Sequence, residues 1–155
     1  MTRRTQPMTR RMSIWIALLG PLSAAILRAT DLASVQQEPK PERRNQLALE
    51  TANSALDAAR TAYQSNDLAA TRASLDEAGA AVSLAYSSLK QTGKEARRDP
   101  KLFKRTELAT RQMLRRIEGI AESMSFEDRS LIDKLREQVA AIHDNLLQDI
   151  MAKKK

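Results

Sequence analysis

Cysteine is absent from the 155 residues, and there is one histidine, His143. Disulfide frameworks, thiolate zinc sites, iron–sulfur clusters, covalently attached haem, lipid-modified cysteine and cysteine nucleophiles are therefore excluded. Aromatic residues make up 3% of the chain while hydrophobic residues make up 42%, so any core must be filled by Ala, Leu, Ile, Val and Met. Turn residues are equally sparse. From Glu42 to Lys155 there is one proline, Pro100, and the glycines are Gly79, Gly93 and Gly119. Strands need turn chemistry roughly every ten residues, so the expected fold class is all-α. No glycine-rich phosphate loop occurs, and serines such as Ser54, Ser74 and Ser87 fall inside helical patterns with no second histidine, glycine elbow or lysine partner. The chain is expected to be no enzyme and to carry no cofactor.

The net charge of +7 is unevenly placed. Residues 1–28 hold five arginines and no acid, Lys153, Lys154 and Lys155 form a basic tail, and the body between is close to neutral. Arg3, Arg4, Arg10 and Arg11 precede an apolar run, Met12 to Leu27, which ends in small residues and is closed by Arg28. A positive region, a short apolar core and Ser23-Ala24-Ala25 have the layout of an export signal cut after Ala25, with an uncleaved membrane anchor as the other reading. Ser13 stands where a twin-arginine signal wants a bulky apolar residue. The expected division is residues 1–25 as signal peptide or anchor, 26–43 as a flexible tether, 44–152 as a helical bundle and 153–155 as the tail. The expected location is exported: periplasmic, secreted, or held at the inner membrane by the apolar segment.

Four segments carry apolar residues at steps of three and four. The first, from about Arg44 to Gln64, aligns Ala48, Ala52, Ala55, Leu56, Ala59, Ala62 and Tyr63. After the polar turn Gln64-Ser65-Asn66-Asp67, in which Asn66 or Asp67 is placed as a cap, the second runs through Leu75, Ala78, Val82, Ala85 and Leu89 and stops at Gly93. Asp99-Pro100 is a helix-start pair, and the third segment aligns Leu102, Ala109, Met113, Ile117, Ile120 and Met124. Ser125 with Asp128 resembles a capping box, and the fourth segment aligns Ile132, Leu135, Val139, Ile142, Leu146 and Ile150. Two short joints suggest two antiparallel hairpins packed as a four-helix bundle, as monomer or homodimer, since coiled-coil-like stripes permit both. Ala62-Tyr63, Asn66-Asp67-Leu68, Leu75 and Ala78 resemble one tetratricopeptide unit. Thr71 stands where that unit expects alanine, and no recurrence at about 34 residues follows, so no family is assigned.

The densest charged feature is a basic block. Lys90 to Arg116 contains ten basic and three acidic residues, between acidic flanks. At about 100° per residue, Lys101, Lys104, Arg105, Arg111, Arg115 and Arg116 share a face about 140° wide, opposite the apolar arc. These six are the candidate anion- or partner-binding residues. The expected function is a structural or protein-interaction module of the cell envelope with an unknown protein partner. The alternative is an anionic-ligand binder through this face, taking lipid head groups or an acidic protein, with nucleic acid disfavoured because no aromatic offers a stacking platform. The counter-reading is a solvated face that complements its acidic neighbours, with Glu107 and Arg111 forming an i,i+4 pair. His143, at the edge of the last stripe, is expected at the rim opposite Thr106, about two turns from Met113 and out of reach for shared haem ligation; no Glu-x-x-His pair offers a metal site.

Overall fold

The computed structural model describes residues 32–152; the expected signal or anchor segment and the Lys153–Lys155 tail lie outside them. The described chain is all-helical, with four packed helices: α1 Pro41–Gln64, α2 Leu68–Gln91, α3 Pro100–Ser123 and α4 Ser130–Met151. No strand occurs among the described residues. The helices form a bundle whose core contains Leu56, Leu75, Val82, Leu89, Met113, Ile117, Ile132, Val139 and Leu146. Every residue of the fourth apolar stripe from Ile132 to Leu146 is buried, and Ile150 packs against the core edge. A fully buried Leu or Ile of this kind contributes about 1.5–3 kcal/mol relative to exposure.

The helix boundaries have local causes. Proline stands in the first turn of α1 and of α3, where its missing N–H costs no intrahelical bond. Asp67 caps α2, its carboxylate accepting from the Ala70 amide at 2.9 Å. Asn66 before it takes φ +57°, and Gly93 beyond the end of α2 takes φ +65°, the left-handed conformation glycine reaches without a Cβ clash.

Three expectations need correction. Asp99 makes no side-chain cap on α3; its carboxylate is bound by Lys94 instead, because an ammonium is a stronger partner than an amide of the first turn. Ser125 and Asp128 do bond reciprocally, the Asp128 amide donating to Ser125 Oγ at 3.2 Å and Ser125 Oγ donating to Asp128 Oδ2 at 2.8 Å. That box sits in the turn ahead of α4, which begins two residues later. The described part of the expected tether is also built into the fold: residues 32–36 are helical, α1 opens at Pro41 rather than near Arg44, and Val35 is buried against Ala48, Leu49 and Ala85.

Between the helices, Arg44 Nε donates to Ser88 Oγ at 2.9 Å, and Asn45 Nδ2 donates to the Ala85 carbonyl at 2.8 Å. Gln138 on α4 donates to the Gly79 carbonyl and to Ser83 Oγ on α2, at 3.0 and 2.7 Å. A Cβ on Gly79 would stand 2.8 Å from Gln138 Oε1, so glycine allows this close approach. None of the described helices is long and apolar enough to cross a membrane.

Candidate functional site

The six basic residues picked out by spacing divide into two groups. Arg111 donates from Nε and Nη2 to Glu107 Oε1 at 2.9 and 2.6 Å. Arg116 reaches across to α1, donating to Asn53 Oδ1 at 2.6 Å and pairing with Asp57. Arg111 thus braces its own helix, and Arg116 ties α3 to α1. Lys101, Lys104, Arg105 and Arg115 are exposed and have no acidic partner among the described residues. The face therefore divides, on one helix, into arginines engaged by acids and cations without an acidic partner among the described residues.

Lys101 and Arg105 also line a cleft of about 840 Å³ where the start of α1, the 92–99 loop and the first turns of α3 meet. Lys40, Arg43 and Lys94 line the same cleft, against the two acids Glu42 and Asp99. Lys94 binds both acids, lying 2.8 Å from Glu42 Oε1 and in contact with Asp99 Oδ2, and these hydrogen bonds, Asp99's first, hold its ammonium well above the usual lysine range. Arg43 Nε lies 3.3 Å from Glu38 Oε2. The Lys40 amide donates to Glu38 Oε1 at 3.1 Å, while the side-chain cations of Lys40, Lys101 and Arg105 pair with no acid among the described residues. Leu102 and Pro41 give the cleft an apolar patch.

The placement of this charge opposes the helix dipoles. Lys40 is the N-cap of α1, and Lys101 and Lys104 fall in the first turns of α3, which contain no acid. A cation at a helix N-terminus meets partial positive charge, at a cost of about 0.3–1 kcal/mol each at the surface.

Sequence spacing missed Lys40 and Arg43 because their segment was read as tether. The available signal was Pro41 as a first-turn residue. Leu108 was also missed: it is 49% exposed and lies within the basic arc of α3.

A second polar cluster lies inside the bundle. Thr106 Oγ1 donates to Asn45 Oδ1 at 3.3 Å and to the Leu102 carbonyl at 3.0 Å. Thr110 Oγ1 donates to the Glu107 carbonyl at 2.8 Å and lies 3.2 Å from His143 Nδ1, which is 3.9 Å from Glu107 Oε1. His143 thus stands opposite Thr110 rather than Thr106, one turn nearer Met113 than the hairpin estimate, and its side chain is only 15% exposed. Asn45, Thr106, Glu107 and Thr110 are buried, and none of the buried side-chain polar atoms described lacks a partner. A fully satisfied layer of this kind fixes register more than it does chemistry. Among the described residues no group of three His, Asp or Glu is placed to hold a metal ion.

Comparison with protein-family models, with curated proteins and with solved structures gives no match to this chain.

Proposed function

We propose that the chain is an exported, non-enzymatic helical-bundle module of the cell envelope that recognises an anionic partner through the basic face of α3 and its adjoining cleft. The observation that carries this reading is the set of unpaired cations, Lys101, Lys104, Arg105 and Arg115, continuous with Lys40 in the cleft. The acids three residues from Lys104 and Arg115, Glu107 and Glu118, pair instead with Arg111 and Arg136, so these cations are left to a partner from outside. Of the two functions expected from the residues, the cleft favours the anionic binder over a module with no defined binding chemistry.

The bundle is read as two antiparallel hairpins. Bonds between the first turns of α1 and the last turns of α2, at Arg44–Ser88 and Asn45–Ala85, support the first; Thr110 beside His143 supports the second. Export rests on Arg3, Arg4, Arg10 and Arg11 followed by the Met12–Leu27 apolar run. A non-catalytic role rests on the missing nucleophile–base pair and on a histidine held within a structural layer.

The test is retention on heparin of the triple variant Lys101→Glu, Arg105→Glu, Arg115→Glu, against the control Arg60→Glu, Arg72→Glu, Arg129→Glu. Both change the net charge equally, and the control residues are exposed on other elements. The expected outcome is loss of retention in the first variant and near wild-type elution in the second. Equal elution of the two variants would show that only overall charge matters.

A further inference from the structure

We infer that the partner of the α3 face is an anionic lipid bilayer surface, with Leu108 entering the interface between the flanking cations. This rests on the anionic-partner reading and specifies the partner's chemistry. The argument comes from how the face is composed. On the helical wheel Leu108 falls inside the basic arc, with Lys104 and Arg115 to one side of it and Lys101 and Arg105 to the other. It is 49% exposed and belongs to neither hydrophobic cluster of the bundle. Between Lys101 and Arg116 no acid falls within that arc, over a length of about 22 Å.

A hydrated polyanion gains from the cations but not from a leucine among them. A nucleic acid would need an aromatic or planar platform to use the centre of the face, and the α3 surface offers none. A bilayer interface uses both parts. Phosphate groups lie level with the ammonium and guanidinium heads, while an apolar side chain and the methylene stems of lysine and arginine reach the acyl boundary below. The adjoining cleft, with cations around the apolar patch of Leu102 and Pro41, repeats that pairing of anion and apolar contact at one end of the strip. Exposed Phe126 belongs to the α3–α4 turn, away from the basic arc, and serves as the control apolar residue.

The experiment measures flotation of the full chain with phosphatidylglycerol-containing vesicles and with pure phosphatidylcholine vesicles, beside heparin retention. Because the Met12–Leu27 run can partition into either vesicle, the readout is the difference between them. The expected result is a preference for anionic vesicles that falls with salt. Leu108→Ser should weaken that preference about fivefold while leaving heparin retention unchanged, and Phe126→Ser should alter neither. An anionic preference indifferent to Leu108→Ser, or no preference while heparin is still retained by the face, would overturn the bilayer as partner and leave the anionic-partner reading standing. Loss of both heparin retention and vesicle preference in the wild-type chain would overturn the two together.

Discussion

The Tyr63 hydroxyl donates to Asp128 Oδ2 at 3.0 Å and accepts from the Ser125 amide at 2.9 Å. One side chain at the end of α1 thereby closes the turn between α3 and α4, 65 residues away. Ser125 Oγ shares the same carboxylate at 2.8 Å, so the turn and the tyrosine form one unit. Replacing Tyr63 by Phe keeps the ring and removes both bonds. The expected loss is about 1–2 kcal/mol, read as a lower urea midpoint with unchanged slope. Unchanged stability would mean that water replaces the hydroxyl without cost.

Two glycines should respond with opposite signs. Gly119 lies within α3, and an added Cβ there meets nothing within 4 Å. Gly119→Ala should therefore stabilise by about 0.5–1 kcal/mol through helix propensity and the narrowed unfolded ensemble. Gly93 also has open space around it, but its φ of +65° strains any L side chain, so Gly93→Ala should destabilise by about 1 kcal/mol. Thermal unfolding of the pair checks this. Matching shifts of one sign would contradict the backbone explanation.

Much of the bundle was legible in the residues. The stripe from Ile132 to Leu146 required only the helical period, and the polar turn offered Asn66 or Asp67 as the cap, of which the structure uses Asp67. The polar layer was not legible. A search for apolar periodicity passes over Asn45, Thr106 and Thr110, which are fully or almost fully buried because partners on other helices satisfy them. Asp99 was misread for a related reason: its competing partner, Lys94, lies five residues upstream, outside the capping pattern. On the basic face, the Glu107–Arg111 pair could be read from α3 alone, whereas the anchoring of Arg116 by Asn53 and Asp57 could not. Leu32 and Val35, three residues apart, were the available sign that the supposed tether packs.

The polar layer should be costly to break and mild to trim at its edge. Asn45→Ala removes the buried amide bond to the Ala85 carbonyl and leaves Thr106 with the Leu102 carbonyl as its partner, with an expected loss of about 2 kcal/mol. Arg111→Ala leaves the carboxylate of Glu107, 5% exposed, without its guanidinium partner and with His143 Nδ1 3.9 Å away. Its expected cost is smaller, about 1 kcal/mol, because solvent reaches that edge of the layer. Urea unfolding of the two variants orders them, and a larger loss in Arg111→Ala would show that charge, not amide pairing, governs the layer.

Alkaline pH should loosen one contact between α2 and α4. Lys90 Nζ lies 2.5 Å from Asp149 Oδ2, and that bond, opposed in part by burial, lifts the lysine above its ordinary 10.5. Folding therefore favours the protonated amine, a contribution complete below pH 10.5 and lost as pH rises through the raised folded value. The lysine side chain is 47% exposed, so its worth after solvent screening is well under ~1 kcal/mol. Asp149→Asn should flatten the decline of stability above pH 10.5, measured by urea midpoints across that range. An unaltered decline would assign the alkaline sensitivity to other groups.

The most direct measurement of the anionic face is a map of backbone amide shifts in the labelled chain titrated with a short heparin oligosaccharide. Unpaired charge at Lys101, Lys104, Arg105 and Arg115, with the cleft beside it, predicts that the largest shifts fall along residues 101–115 of α3 and residues 40–46 at the start of α1. Shifts centred instead on the exposed Arg60, Arg72 and Arg129, or spread evenly over every basic residue, would contradict a binding face on α3.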